Sequence, residues 1–227
     1  MNRILFLLLF LAAQKAGAQT LGGNAVFNFL SQPNSAQMAA LGSVNVSTIS
    51  NDLGMAFHNP ALLRDSMQQQ LSSSFYSYAE GVKQYGMQTA FHLKSIESNI
   101  GVGVQYLDYG SLTETDASGN VLGSFRPNDY VVQATFSKSY KEKWWLGVNS
   151  KFISSNYGLY RSNGIAFDAG IAYYDQENQM QVSVVAKNMG TQLATYNGSG
   201  VKEELPFDLQ AGISKRLENA PIQFSVT

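Results

Sequence analysis

Residues 163–174 read NGIAFDAGIAYY, and their alternation decides the fold. The odd positions carry Ile165, Phe167, Ala169, Ile171 and Tyr173, and the even positions carry Ala166, Asp168, Gly170 and Ala172. Side chains of a β-strand point alternately to opposite faces, so this period of two makes one face apolar and the other small or polar. A helix repeats every 3.6 residues and gives no such pattern.

The same alternation recurs on both sides. Phe207, Leu209, Ala211, Ile213 and Leu217 oppose Asp208, Gln210, Gly212, Ser214 and Arg216, with Lys215 the one exception. Tyr130, Val132, Ala134, Phe136 and Tyr140 oppose Val131, Gln133, Thr135, Ser137 and Ser139, while Ile100, Val102, Val104 and Tyr106 oppose Gly101, Gly103 and Gln105. Nine strands are expected, near 70–79, 85–94, 99–109, 129–140, 143–154, 163–174, 179–188, 207–217 and 221–227. At ~3.3 Å per residue and a tilt near ~45°, strands of this length cross a hydrocarbon layer.

The connections between them give a second argument. From 95–98 onward, through 110–128, 141–142, 155–162, 175–178, 189–206 and 218–220, short and long alternate. Outer-membrane barrels keep short turns on the periplasmic side and longer loops outside, so the sequence reads as an all-β antiparallel transmembrane barrel. Both the first and the ninth strand then run outward. The sequence reaches Thr227 in mid-strand, and an even-stranded barrel would need further strands to close. Tyr78, Tyr85, Tyr109, Tyr130, Tyr140, Trp144, Trp145, Tyr157, Tyr160, Tyr173 and Tyr174 cluster near strand ends, where interfacial aromatic girdles belong.

Composition narrows the class. Charged residues make up 14% of the 227 residues and the formal net charge is -1, so no basic face for nucleic acid is expected. With no cysteine, disulfides, thiolate metal sites and a cysteine nucleophile are excluded. Arg3, the apolar run Ile4 to Ala13 and Ala16-Gly17-Ala18 make a signal peptide over 1–18, too short to span a bilayer as a helix.

The stretch from Leu21 to Leu63 breaks the alternation. Asn34 or Ser35 can cap a short helix that ends at Leu41-Gly42, and Asn51 or Asp52 a second one through Phe57, stopped by Asn59-Pro60. Residues 19–67 are therefore expected to be a plug or periplasmic rim beginning on the periplasmic side, before a barrel over 68–227. On the lumen parity, Gly101, Gly103, Gly147, Ala166, Gly170, Ala172 and Gly212 would let such a segment pack closely, or would ease strand curvature.

No motif for chemistry appears. His58 and His92 are isolated, Glu203-Glu204 sits in a loop, and Gly101-Val102-Gly103 lacks the spacing of a phosphate loop. No enzyme activity, cofactor or metal is expected. Leu112, Val121, Leu122 and Phe125, around a turn at Asp116 to Asn120, form one candidate partner-binding loop that can rise as a hairpin. Leu193, Tyr196, Val201 and Leu205 mark a second.

The N-terminal stretch also carries a resemblance. Leu21-Gly22-Gly23, Phe27-Asn28-Phe29-Leu30, Pro33-Asn34-Ser35-Ala36, Ala39-Ala40-Leu41-Gly42 and Asn59-Pro60-Ala61-Leu62-Leu63, in that order, resemble the N-terminus of the PorQ family of the Bacteroidetes type IX secretion system. The related PorV shuttles and FadL-like barrels share the Asn-Pro-Ala part. The resemblance implies a FadL-like barrel of about fourteen strands, of which nine lie here, in the outer membrane of a Gram-negative bacterium. It implies a non-enzymatic anchor for a PorZ-type surface protein, in an attachment complex with PorU and PorV that joins cargo to lipopolysaccharide. A FadL-type transporter of hydrophobic ligands and a PorV-like cargo shuttle are the alternatives.

Overall fold

The computed structural model describes residues 25–198, 200–218 and 220–227. The expected signal peptide over 1–18 and Leu21-Gly22-Gly23 lie outside them.

The chain is mostly antiparallel β. Nine strands form one sheet in chain order: β1 (Leu71–Ser77), β2 (Lys83–Leu93), β3 (Ser98–Asp108), β6 (Asn128–Tyr140), β7 (Trp144–Tyr157), β8 (Tyr160–Asp175), β9 (Met180–Ala194), β10 (Asp208–Arg216) and β11 (Gln223–Val226). Each pairs with its neighbour, and the sheet is open, with β1 and β11 at its edges. Between β3 and β6, β4 (Leu112–Thr115) and β5 (Val121–Phe125) pair as a separate hairpin. Asp116 closes its turn, accepting from the backbone N–H groups of Ser118 and Asn120 and from the Asn120 side chain. The expected hairpin is there, but as its own two-stranded sheet.

Polarity across the large sheet is inverted relative to a soluble one. Met87, Val102, Val104, Phe136, Val148, Phe167, Val184 and Ile213 are exposed on one face. Gln84, Gln105, Gln133, Asn149, Lys151, Asp168, Gln181 and Ser214 are buried on the other. A soluble antiparallel sheet turns its apolar face inward.

What buries the polar face is the segment before β1. It holds a 3-10 turn (Asn28–Ser31), a helix (Ala36–Ala40), a second helix (Leu53–His58) and 3-10 turns at Pro60–Leu62 and Asp65–Met67. Ser35 Oγ caps the first helix by accepting from Met38 N at 3.1 Å, and Asp52 caps the second by accepting from Gly54 N at 2.8 Å. Gly42, at φ +84°, takes the left-handed position after the first helix.

This segment meets every strand of the sheet. Asn34 lies against Ser74 of β1 and Gly86 of β2, Leu63 against Gly101 of β3, and Phe57 O accepts from Gln133 of β6 and Asn149 of β7. Asn59 presses on Gly170 of β8, Ser183 of β9 donates to Val46 O, Ser47 bonds Ser214 of β10, and Asn45 donates to Ser225 of β11. One short segment touches nine consecutive strands only because the sheet curls around it.

Its direction corrects one expectation. Phe27 and Phe29 lie at the long-loop end with Tyr109, Tyr157 and Tyr196, whereas Arg64 meets Trp145, Tyr174 and Gln181 at the short-turn end. From Ala25 onward the segment thus runs along the inner face of the sheet from the long-loop end to the short-turn end, whereas the sequence reading expected it to begin on the side of the short turns. Strand β1 then leaves from where the segment finishes.

Two expected loops are shorter. Strands β7 and β8, of 14 and 16 residues, run on through most of 155–162 and leave only Gly158-Leu159 unpaired between them. Strand β9 continues to Ala194, past a bulge opposite Phe167 to Ala169 where both Lys187 and Asn188 are buried. Asn188 takes φ 57° there, and the outward parity switches from Val182 and Val184 to Met189 and Leu193. Leu193 consequently belongs to a strand rather than to a loop.

Candidate functional site

The inner side of the curled sheet is built around Asn59-Pro60-Ala61. Asn59 Nδ2 donates to Val46 O at 2.7 Å, and its Oδ1 accepts from Ala61 N at 3.1 Å, so one side chain holds two turns of the segment together. Opposite lie glycines. A Cβ at Gly147 would stand 2.3 Å from the Pro60 carbonyl carbon, and one at Gly170 would stand 2.3 Å from Asn59 Oδ1. Ala61 packs with Ala172, Trp145, Met38 and Met55. Among the family-like residues, Phe27, Phe29 and Leu30 join an apolar cluster with Phe57, Leu107 and Val131. The Pro33 carbonyl accepts from Gln84 at 2.6 Å, while Ala36, Ala39 and Ala40 form the first helix and Leu41 is exposed at its end.

Above this sits a buried ionic group. Lys151 Nζ lies 2.7 Å from Asp168 Oδ2 and donates to Asn188 Oδ1 at 3.0 Å. Asp168 also accepts from Asn149 Nδ2 at 2.9 Å and Asn188 N at 2.8 Å. His58, 2% exposed, faces this group from the segment. Burial, then the charges of Lys187 and Lys151, hold its imidazole well below the usual value, so it is neutral.

At the long-loop end a cavity of about 470 Å³ opens between the segment and the wall, lined by Phe27, Phe29, Tyr109, Tyr157 and Tyr196 among others. The rings of Tyr109 and Tyr157 are 5.6 Å apart, and those of Tyr157 and Tyr196 are 5.9 Å apart and edge to face. Asp129, 3% exposed, accepts from Tyr109 Oη at 2.6 Å, from Tyr157 Oη at 3.4 Å and from Ser155 Oγ. Tyr196 Oη donates to Ser155 Oγ at 2.6 Å. Burial and the bond to Asp129 push the Tyr109 hydroxyl well up, so it stays a neutral donor.

At the short-turn end, Arg64 stacks over Trp145 at 4.4 Å and Tyr174 at 5.3 Å and donates to Gln181 at 2.8 Å. Burial lowers its pKa to about 10, and it remains charged. His92 meets Asn99 at 2.8 Å and Asp65 at 3.4 Å, a link between the segment and β2 and β3. Among the described residues, no three His, Asp or Glu side chains gather as metal ligands.

The candidate loop residues separate. Leu112, Val121 and Leu122 are exposed on the hairpin, while Phe125 is half-buried and lies against Gly158. Tyr196 turns inward to the cavity, and Leu205 is buried in the apolar cluster with Val26 and Phe27. Glu204 O accepts from Val26 N at 2.9 Å, tying the second loop to the segment. Asp129, Ser155, Lys151 and Asp168 were not singled out from the sequence. For Asp129, Lys151 and Asp168 the only signal was their strand parity, shared with many residues that do no more than pack, and Ser155 fell in an expected loop.

What the fold and these clusters define is a curled antiparallel β-sheet, apolar outside, filled by its own N-terminal segment. No protein-family model matches this chain, and no curated protein matches it.

Proposed function

We propose that this chain forms the wall and plug of an outer-membrane β-barrel that anchors an extracellular protein by its long-loop end. The observation that carries the reading is a pair of outward aromatic rows. Phe75, Tyr85, Tyr106 and Tyr130 face one another in register across β1, β2, β3 and β6. Tyr140, Trp144 and Tyr173 do the same across β6, β7 and β8 at the short-turn end.

On β6 the rows stand from Tyr130 to Tyr140, with Val132, Ala134, Phe136 and Lys138 between them on the outward face; Lys138 lies beside the Tyr140 row, its Nζ donating to Ile96 O at 3.0 Å. Ten residues at ~3.3 Å span ~33 Å along the strand, or ~23 Å across a layer at a tilt of ~45°. The apolar band of an outer-membrane barrel is about 25 Å tall and is edged by aromatic girdles. No described helix is long and apolar enough to cross a membrane. In lipid, the edges β1 and β11 require partner strands, since open edges are not tolerated there. A FadL-like barrel of about fourteen strands would supply them.

The resemblance of stretches within residues 21–42 and 59–63 to the PorQ family is what supports an anchor in a type IX attachment complex with a PorZ-like partner. The exposed Leu112, Val121 and Leu122 of the hairpin offer the contact. Supporting the FadL-type carrier instead is the aromatic cavity at the long-loop mouth. Purification of the protein from outer membranes distinguishes the two: the anchor brings a surface protein with it, and deletion of 112–125 releases that protein from an assembled barrel. Recovery of fatty acid without a protein partner overturns the anchor.

A further inference from the structure

We propose that the cavity framed by Tyr109, Tyr157 and Tyr196 binds an organic cation through an alkylammonium or guanidinium group. This site stands apart from the hairpin contact and does not depend on the anchor reading.

The walls and the floor point to the same ligand. Three tyrosine rings meet at centroid distances of 5.6 and 5.9 Å, presenting aromatic surface to a space of about 470 Å³. Aromatic faces carry negative quadrupole charge and hold cations at ~6 Å or less, the more strongly where water is excluded. Behind them is the Asp129 carboxylate, 3% exposed and held by the hydroxyls of Ser155, Tyr109 and Tyr157. Among the described residues no lysine, arginine or histidine pairs with it. A buried carboxylate held only by neutral hydroxyls is costly to desolvate, and a cation entering the cavity offsets that cost. Glu203, exposed on the rim, adds a second negative charge.

Other ligand classes fit less well. An anion meets two carboxylates. A hard metal ion needs several oxygen ligands converging on one point, and no such group of acidic side chains or histidines is present among the described residues. A neutral apolar ligand fills the aromatic space but leaves Asp129 without a counter-charge. An ammonium or guanidinium group on a short apolar stem satisfies both.

The test is calorimetric titration of the full chain in detergent micelles with choline, Nα-acetyl-lysinamide, Nα-acetyl-argininamide and 3,3-dimethylbutanol, the neutral isostere of choline. Saturable binding of at least one cation, at least tenfold tighter than dimethylbutanol, is expected. Choline as the tightest probe assigns the site to a free small cation, and a lysine or arginine amide as the tightest assigns it to a basic side chain of a protein. Asp129→Asn should weaken the cation tenfold or more without affecting dimethylbutanol. Because Asp129 is built into the wall, Glu203→Gln on the exposed rim is the second variant, expected to weaken binding several-fold and to reduce its salt dependence. Equal affinity for choline and dimethylbutanol, or no saturable binding of any cation, overturns the proposal.

Discussion

Lys151 Nζ and Asp168 Oδ2 lie 2.7 Å apart, with side chains 1% and 0% exposed, and cross-link adjacent strands β7 and β8 inside the lumen. Removing one partner of a buried pair leaves an uncompensated charge and costs about 3–5 kcal/mol. Lys151→Met should therefore destabilise the protein by about that amount in urea titrations, and Asp168→Asn by a similar amount, because it leaves the Lys151 ammonium buried without a counter-charge. The double variant Lys151→Met with Asp168→Leu should recover only part of the loss, since Asn149 Nδ2 and Asn188 N then lose their acceptor. A double variant no more stable than Lys151→Met alone would count against the isolated-charge explanation.

Glycines on the lumen face divide by what stands opposite them. At Gly147 a Cβ would meet Pro60 and Ala61 backbone at 2.3 and 2.5 Å, and backbone cannot rotate aside. At Gly101 the nearest atoms are side-chain carbons of Thr135 and Leu63 at 3.4 and 3.5 Å. Gly147→Ala is expected to displace the segment and cost about 1–3 kcal/mol or more, whereas Gly101→Ala should be close to neutral. Protease susceptibility of the segment and the urea midpoint check both. Equal effects at the two sites would mean that the segment does not sit firmly against β7.

Phe136 lies on the outward face of β6 between the two aromatic rows. If that face meets lipid, Phe136→Lys buries a charge near mid-layer and should cost about 2–4 kcal/mol in bilayers. The same change at Tyr140, at the aromatic margin, should cost about 0–1 kcal/mol. Folding titrations into lipid vesicles measure both, and a Phe136→Lys variant as stable as the parent there would remove the support for a lipid-facing band.

Much of this architecture was legible because alternation is a local signal. Most strands of the large sheet show their parity in their own residues, the serine-rich β1 being the weakest, and Asp116 to Asn120 announces the hairpin turn. The limits of β7, β8 and β9 were hidden for physical reasons. Ser155 and Asn156 look like loop residues, yet in register they pair with Asp129 and Asn128. The Lys187-Asn188 bulge swaps the faces of β9, so a parity test stops there. The course of the segment was illegible because nothing in its residues says which mouth of the lumen it enters. That is fixed by side chains far away in sequence, such as Gln84 on the Pro33 carbonyl and Ser137 on the Leu63 carbonyl. The tyrosine cavity eluded the sequence for a similar reason: Tyr109, Tyr157 and Tyr196 read as interfacial or loop aromatics until the chain brings all three around Asp129.

His58 makes the stability of the segment depend on pH. It is buried, its Nε2 has no hydrogen-bond partner among the described residues, and burial together with Lys187 and Lys151 depresses its pKa well below the usual ~6.5. The unfolded chain takes up a proton as pH falls through ~6.5, while the folded chain does not until its own lower pKa is reached. Stability from this residue is complete above ~6.5 and declines below it, by at most ~1.4 kcal/mol per pH unit for one proton. His58→Gln, which keeps a polar group but cannot titrate, should flatten the curve between pH 6.5 and 5, where few carboxylates have yet protonated. Urea midpoints of the parent and the variant across that range provide the comparison. Parallel curves would show that His58 carries its proton equally in both states, and the buried neutral imidazole would have to be abandoned.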